Sequence, residues 1–340
     1  MQDAAPQTIQ NIKLDIILCP YCKCKEIASL SQDKLSCKNC STEFPVFKGM
    51  LNMMPKPNSE TLRELKGMAV EANEEHLPVE QIIFRYREKL PSYEEKIQHI
   101  ESEARNYYRS NEMNVTHVIE RLTISPGQSI LEIGSDTPFR FLNMFRERGC
   151  RCVAANIYFD YDNQDTVIDW PERVVGDMNL LPFRDETFDF VLMSATAHHS
   201  PDIETSAKEA ARILKPGGTM LVLNEPTGGW IKNLPALFDR RFARGKDRDE
   251  LIHENEYTIF RFKNSFKDAG FQILDSFFST YYDHKLQTAA VKGIRFAFLA
   301  GTVSRLWKIE GVRKFLMKTM LLPGQVVLGL EMNLILKKPG

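Results

Sequence analysis

The chain has 340 residues, which is enough for two domains of about 150 residues each. Its 43% hydrophobic and 26% charged residues are typical of a globular protein, and its net charge of −1 excludes a chain built throughout to bind polyanions. Because it has no apolar run of ~18 residues, no signal-peptide pattern and only locally clustered cysteines, we expect a cytoplasmic protein.

Five of the seven cysteines lie near the N-terminus, and four of these form two C-x2-C pairs separated by fourteen residues. Each pair can make a tight turn that points two thiolates at one ion, and two such turns complete a tetrahedral site. The spacing predicts a structural Zn²⁺ bound by Cys19, Cys22, Cys37 and Cys40. Cys24 follows the first pair closely and is expected to be a bystander.

The segment after the second pair runs Phe44-Pro45-Val46-Phe47-Lys48-Gly49 and continues into Leu- and Met-rich sequence. With the cysteines, it resembles the small zinc-ribbon activator subunit of tRNA and release-factor methyltransferases. The resemblance implies that residues 1–56 form a ribbon that docks on a methyltransferase domain, here in the same chain. Lysines only slightly outnumber acids in this region, so nucleic-acid binding by the ribbon is left open and is not favoured.

Residues 57–125 are predicted to form a helical connector that caps the following domain. A helix start is expected at Ser59, after two prolines, and apolar residues then recur at helical intervals among many charged ones. Tyr107, Tyr108 and Asn111 are candidates for the cap by position alone. The alternative is that the tyrosines belong to a packed helix face.

Strands and helices alternate from residue 126 onward. The apolar run Ile130–Ile133 ends at Gly134, a polar turn follows, and Pro138 is expected in the first turn of a helix. This order is typical of a nucleotide-binding α/β unit, in which glycine permits the turn and helix amides face the ligand. Further strands are expected at 150–157, from 190, and at 219–223, 271–279 and 326–337. They indicate a doubly wound sheet whose ligands lie at the carboxyl ends of the strands.

A set of motifs between residues 176 and 218 makes the resemblance specific. They are Gly176-Asp177, Leu181-Pro182-Phe183, Phe188-Asp189-Phe190-Val191, His198-His199-Ser200-Pro201-Asp202 and Arg212-Ile213-Leu214-Lys215-Pro216-Gly217-Gly218. Residues 126–279 thereby resemble a class I S-adenosylmethionine-dependent methyltransferase (methyltransferase type 11-like), in the group that includes ubiquinone/menaquinone C-methyltransferases. The resemblance implies a seven-stranded, Rossmann-like α/β sheet within residues 126–340 and S-adenosylmethionine as cofactor.

The same resemblance implies roles for individual residues. Glu132 would orient the loop after the first strand or bind the methionine amine, and Gly134 would permit close approach of the methionine moiety. Asp177 would accept a hydrogen bond from the adenine amino group, with Met178 against the ring. The remaining cofactor contacts are assigned to Ser135, Asp136, Asn156 and Ala195.

Two positions depart from the family pattern. Asp136 and Pro138 occupy the second and third glycine positions of the loop, and a side chain at 136 narrows the space and adds negative charge. Asn156 replaces the acid that normally binds both ribose hydroxyls, and its amide forgoes a charge-assisted gain of ~1 kcal/mol. Asp160 or Asp162 could replace that acid from the loop. These departures raise the alternative of a catalytically inactive binding scaffold.

Three histidines are candidates for catalysis. His198 and His199 follow the central strand, where a general base for a hydroxyl acceptor could reach. The alternative is that this pair only packs and starts a helix. His253 lies in the segment before the last core helix, which commonly forms part of the acceptor pocket in this family.

An insertion at about 280–323 combines basic residues with a large apolar face. It is expected to be a lid or a dimer face packed on the core, or a peripheral contact with an anionic membrane. Homo-oligomers are therefore also left open.

The favoured function is a methyltransferase for a small-molecule or glycan-precursor acceptor, by O- or N-methylation. The alternatives are an rRNA/tRNA methyltransferase and the inactive scaffold. The large-subunit rRNA guanine methyltransferases also carry a zinc ribbon, but usually with histidine where this chain has Cys40, and the near-neutral charge argues against RNA.

Overall fold

The structure is a computed structural model that describes residues 14–98, 102–163, 171–227, 255, 257–278, 309 and 331–340. The N-terminal part contains, in chain order, β1 (Ile27–Ser31), β2 (Lys34–Cys37), β3 (Glu43–Phe47), β4 (Met50–Asn52), α1 (Ser59–Glu71), α2 (Val79–Ile83), β5 (Phe84–Tyr86), α3 (Tyr93–Gln98) and α4 (Ser102–Ile119). No helix within these described ranges is long and apolar enough to cross a membrane.

The remaining elements are strands and helices that alternate only in part within the described residues, since no described helix lies between β7 and β10. They are β6 (Ser129–Ile133), α5 (Arg140–Arg146), β7 (Arg151–Asn156), β8 (Phe159–Tyr161), β9 (Glu172–Val175), β10 (Phe188–Ser194), α6 (Ile203–Ile213), β11 (Leu214–Glu225), α7 (Ile259–Asp268), β12 (Gln272–Phe278) and β13 (Met332–Lys337). Apart from Ile309, the predicted basic insertion at 280–323 lies outside the described residues.

One mixed sheet of eleven strands organises the described residues, in the order β1-β2-β3-β4-β9-β7-β6-β10-β11-β13-β12. Strands β9, β7, β6, β10 and β11 run parallel, while β13 is antiparallel to both β11 and β12. From β6 the chain continues to β7 and β9 on one side, and then to β10 and β11 on the other. The sheet therefore has a topological switch point between β6 and β10, where ligands of such sheets bind.

The sheet is larger than the seven strands implied by the resemblance, because the ribbon strands extend it. Strand β4 pairs in parallel with β9 through Leu51 opposite Val174 and Asn52 opposite Val175. The amide of Met53 also donates to the carbonyl of Val175, at 2.9 Å. Backbone hydrogen bonds therefore join the ribbon directly to the edge of the parallel sheet.

Apolar side chains are buried on both faces of the sheet. In β10, Val191 and Met193 belong to one hydrophobic cluster, while Phe190 and Leu192 belong to the other. This alternation follows from the two-residue period of a strand. Helices α6 and α7 pack in the first cluster, and α1, α4 and α5 contribute to the second. The prediction of an α/β fold with helices on both faces is confirmed.

The two predicted helix starts have different outcomes. Helix α1 begins at Ser59 as expected, and the side chain of Asn58 caps it by accepting a hydrogen bond from the amide of Thr61. Helix α5 begins only at Arg140, after Phe139 at a φ of 58°. Pro138 therefore precedes the helix instead of occupying its first turn, which corrects the expectation.

Candidate functional site

Four cysteine thiols of the ribbon form one compact cluster. The Sγ atoms of Cys19, Cys22, Cys37 and Cys40 all lie within 4.8 Å of one another. The Cys19–Cys40 and Cys22–Cys37 pairs are 3.6 and 3.5 Å apart. Tetrahedral Zn²⁺ with bonds of about 2.3 Å to sulfur places its ligands about 3.8 Å apart, so this donor set fits the ion. Cys24 is outside the cluster, as expected.

The two turns that present these thiols have the same backbone geometry. The amide of Lys23 donates to the carbonyl of Cys19, and that of Ser41 donates to the carbonyl of Cys37, at 2.8 and 2.9 Å. Lys23 and Ser41 both adopt a positive φ, of 56° and 58°. The equal spacing of the pairs thus produces two matching turns that face each other.

A cavity of about 320 Å³ lies at the carboxyl ends of β6, β7, β9 and β10, at the switch point of the sheet. The sheet side is lined by Ile133, Gly134, Asp136, Asn156, Ile157, Tyr158, Gly176, Asp177, Met178, Ala195, Thr196, His199 and Pro201. Helix α1 closes the other side with Glu60, Thr61, Glu64, Met68 and Glu71. Its position and size are those of a ligand pocket in an α/β protein.

The cavity brings together most residues that the sequence nominated for cofactor binding. Gly134, Asp136, Asn156, Asp177, Met178 and Ala195 line it. Glu132 and Ser135 are buried beside it, with exposures of 6% and 0%. Of the nominated histidines, His199 lines the cavity, His198 is buried, and His253 lies outside the described residues.

Gly134 is required at its position for two reasons. Its φ is +74°, which side chains rarely adopt. A Cβ added there would also lie 2.8 Å from the Cβ of Thr196 and nearer still to the methyl and hydroxyl groups of that side chain. The close approach of the loops after β6 and β10 therefore depends on glycine.

Glu132 supports this loop from beneath. Its carboxylate accepts a hydrogen bond from the hydroxyl of Ser135, at 2.9 Å. Burial raises the pKa of Glu132 to about 7, against the opposing effect of that hydrogen bond, and the charge of Asp136 adds to the rise. Of its two implied roles, the described contacts support orientation of the loop.

Asp177 is bound by the connector. One of its carboxylate oxygens accepts hydrogen bonds from the hydroxyl of Thr61, at 2.6 Å, and the side-chain amide of Asn58, at 3.0 Å. The other oxygen accepts from the amide of Asn179, at 2.7 Å. The start of α1 therefore anchors the helix to the strand end that was expected to bind adenine. The sequence predicts this helix start, but it does not predict the hydrogen bonds that Asn58 and Thr61 donate to Asp177.

Asn156 connects two neighbouring loops instead of standing free for a ligand. Its amide nitrogen donates to the carbonyl of Ser135, at 2.9 Å, and its oxygen accepts from the amide of Ile157, at 2.8 Å. The expected substitutes do not line the described part of the cavity, because Asp160 binds Arg85 and Asp162 accepts from the amide of Leu90.

The adjacent histidines have different surroundings. The ring Nδ1 of His198 lies 2.9 Å from Glu225, whose carboxylate also accepts from the backbone amides of Thr196, Ala197 and His198. Burial acts to raise the pKa of Glu225, but these hydrogen bonds and the charge of His198 lower it overall. The contacts of His198 therefore stabilise the loop after β10. His199 instead lines the cavity, with its Nδ1 3.2 Å from a carboxylate oxygen of Glu64.

The cap over the cavity comes from a different part of the connector than expected. Tyr108 is exposed, Asn111 is buried beneath β11, and neither is among the described residues that line the cavity. The side chain of Tyr107 lies outside the described residues. Helix α1 occupies the expected position of the cap.

The segment that contains the sheet side of the cavity is similar to known proteins. Residues 131–222 match the methyltransferase domain family. A 111-residue stretch is 32% identical to a demethylmenaquinone methyltransferase of Staphylococcus aureus, and the match covers 29% of this chain and 46% of that protein. The chain thus spans about half the length of the curated relatives it matches.

Two solved structures show a distant likeness. Phosphoethanolamine N-methyltransferase 2 of Haemonchus contortus is 16% identical, with a TM-score of 0.42 over 67% of this chain and 53% of that one. The [4+2]-cyclase SpnF is 16% identical, with a TM-score of 0.44 over 84% of this chain and 98% of that one.

Proposed function

We propose that this chain is an S-adenosylmethionine-dependent methyltransferase that acts on a small-molecule or glycan-precursor acceptor, by O- or N-methylation. One observation carries the proposal. The methyltransferase domain has its cavity at the switch point of the sheet, and Gly134, Asp177, Met178 and Ala195 line that cavity together.

The residues present suit the cofactor. The cavity crosses the ends of four neighbouring strands, a span of about 14 Å at the usual separation of ~4.8 Å. Its β9 end offers the carboxylate of Asp177 beside the apolar Met178, which suits a purine with an exocyclic amine. Two strands away, at the carboxyl end of β6, the cavity is lined by the polar loop that contains Asp136. A nucleoside with an amino-acid tail matches this order of groups.

When bound, S-adenosylmethionine supplies an activated methyl group, so the chain itself mainly has to align the acceptor and exclude water. Helix α1 suits the second task, because Thr61, Glu64 and Met68 line the cavity together with the strand ends. Asn58 and Thr61 hold the helix in place through Asp177.

His199 is the base that we assign to the acceptor. It reaches the cavity, and Glu64 lies against its Nδ1. The negative charge of this carboxylate, 3.2 Å from Nδ1, favours a proton on Nδ1 and leaves Nε2 to accept a proton from a hydroxyl or ammonium group. Glu64 is then a positioning residue that acts on His199 through its charge.

The ribbon's role in the proposal is structural. The four thiolates would hold Zn²⁺ in a closed tetrahedral site, which stabilises a unit too small for a large apolar core. Because β4 continues the sheet next to β9, metal binding would also support the strand that precedes Asp177.

Calorimetric titration of the zinc-replete protein with S-adenosylmethionine and S-adenosylhomocysteine tests the proposal. We expect micromolar binding that Asp177→Ala weakens at least ~10-fold, since a buried hydrogen-bonded carboxylate is lost. Asp185→Ala is the matched control, because Asp185 is exposed and pairs with Arg212. Absence of binding at millimolar ligand would contradict the proposal and favour the inactive scaffold. An rRNA/tRNA acceptor would instead reveal itself by RNA binding with a steep salt dependence.

A further inference from the structure

The charged residues that line the cavity are acidic, and no lysine or arginine is among its described lining residues. The acids are Glu60, Glu64 and Glu71 of α1, together with Asp136 and Asp177 of the sheet side. The carboxylate of Asp177 is already hydrogen-bonded to α1. Glu60 and Asp136 each pair with a cation outside the lining, Arg63 and Lys96 respectively. The described lining therefore has a net negative charge.

Helix α1 carries its acids at positions that do not favour the helix itself. Glu60, Glu64, Met68 and Glu71 follow one another at intervals of four, four and three residues, so they share one face. Like charges four residues apart, as at Glu60 and Glu64, destabilise a helix, and a negative charge at its last residue, Glu71, opposes the helix dipole. Local preferences are broken in this way where a site requires it, and this face lines the cavity.

Glu64 is the buried acid of this face. It is 8% exposed, and its carboxylate lies 3.2 Å from Nδ1 of His199. Burial of a carboxylate costs free energy unless an opposite charge compensates for it. If His199 is neutral, as its assigned role as a base requires, the two side chains together carry one negative charge. A cationic ligand beside them restores neutrality, whereas an anionic ligand adds a second buried negative charge.

Resting on the proposed function, we propose that the acceptor is an amine, which the cavity binds as its ammonium form beside Glu64 and His199. Transfer of one ammonium proton to Nε2 of His199 leaves an imidazolium next to Glu64 and a neutral amine whose lone pair can accept a methyl group. The acceptor, His199 and Glu64 together have zero net charge before and after this transfer. Glu64 thereby determines specificity for amines over alcohols and anionic acceptors.

Ligand pairs that share a carbon skeleton and differ in charge test this inference. The pairs are ethanolamine with ethylene glycol, 2-phenylethylamine with 2-phenylethanol, and 1,4-diaminobutane with 1,4-butanediol. Each is titrated into the zinc-replete full chain saturated with S-adenosylhomocysteine. In at least one pair the ammonium should bind about 10-fold more tightly than its alcohol, the size of one charge-assisted contact. Glu64→Gln, which keeps the shape of the side chain, should reduce this ratio to within about twofold.

Glu75→Gln is the matched control, because Glu75 is exposed just after α1 and is not a lining residue, and it should leave the ratio unchanged. If Glu64→Gln does not fold, the double variant Glu60→Gln/Glu71→Gln carries the test, since both positions are exposed, and it should lower the ratio about threefold. Ammonium and alcohol that bind equally in every pair, or that both fail to bind at millimolar concentration, would overturn the inference, as would a ratio that Glu64→Gln does not change. Failure of the unaltered protein to bind S-adenosylhomocysteine would instead overturn the proposed function, and this inference with it.

Discussion

The thiol cluster and the cavity are organised by different forces. The four thiols lie within one short segment, Cys19–Cys40, and two matching turns bring them together. The cavity is lined by residues as distant in the chain as Thr61 and Ala195, held on a sheet that is buried on both faces. The thiol cluster is therefore formed by residues that are close in sequence, whereas the cavity depends on long-range packing of the sheet against its helices.

The largest expected effect is a loss of stability caused by a substitution in the ribbon. Cys37→Ser should lower the free energy of unfolding by about 4 kcal/mol or more, because metal binding supplies folding free energy. Denaturant unfolding and zinc content measure it. Cys24→Ser, next to the cluster but outside it, should change neither quantity. Equal stability of the two variants would contradict a metal-dependent ribbon.

The second largest loss of stability is expected from a substitution that distorts the cavity and leaves the ribbon intact. Gly134→Ala should cost about 3 kcal/mol, because it combines backbone strain with the clash against Thr196. Gly127→Ala is the control, since Gly127 has a φ of +85° but open space around it, and should cost only about 1 kcal/mol. Equal losses in thermal unfolding would show that the close approach of the two loops does not matter.

A third substitution is expected to leave the ribbon and the cavity folded and to remove only the general base. His199→Gln should lower kcat for an identified acceptor about 100-fold, the lower end of general-base effects. Affinity for S-adenosylhomocysteine should remain within about twofold. His76→Gln, at an exposed position, is the control. An unchanged kcat with a normal pH profile would remove His199 from the mechanism.

The smallest expected effect is a pH dependence of the free energy of unfolding, caused by Glu132 beneath the loop that lines the cavity. The folded pKa of Glu132 is about 7, above its ordinary value of 4.5, so its contribution to stability is greatest below pH 4.5 and is lost as pH rises through 7. Glu132→Gln should therefore gain about 2 kcal/mol relative to the unaltered protein between pH 5 and 8. Denaturant unfolding at several pH values measures this gain. The exposed Glu120→Gln should show no such trend, and a flat difference for Glu132→Gln would contradict the account.

The same contrast explains what could be predicted from the sequence. The grouping of the four thiols was predictable because the cysteines are close in sequence. Part of the sheet side of the cavity was also predictable, because Gly134, Asp177 and Ala195 lie just after strand ends. The hydrogen bonds of Asn58 and Thr61 with Asp177 were not, since they join positions 119 and 116 residues apart. A helical pattern shows which face is apolar but not which strand end the helix meets.

The union of ribbon and sheet was also unpredictable. Strand β4 has only three residues, all of them buried. Such a short strand shows no alternation of apolar and polar residues from which its pairing could be predicted. The start of α5 was misplaced because Pro138 is favoured in a first helical turn but equally occurs in the loop before it.

A crystal structure of the zinc-replete protein with S-adenosylhomocysteine would show whether the cavity is the cofactor site. We expect the ligand across the ends of β9, β7, β6 and β10, with its base against Met178 and its amino-acid end beside Asp136. Helix α1 should cover it. A ligand bound elsewhere, or a cavity without ligand at saturating concentration, would contradict the account.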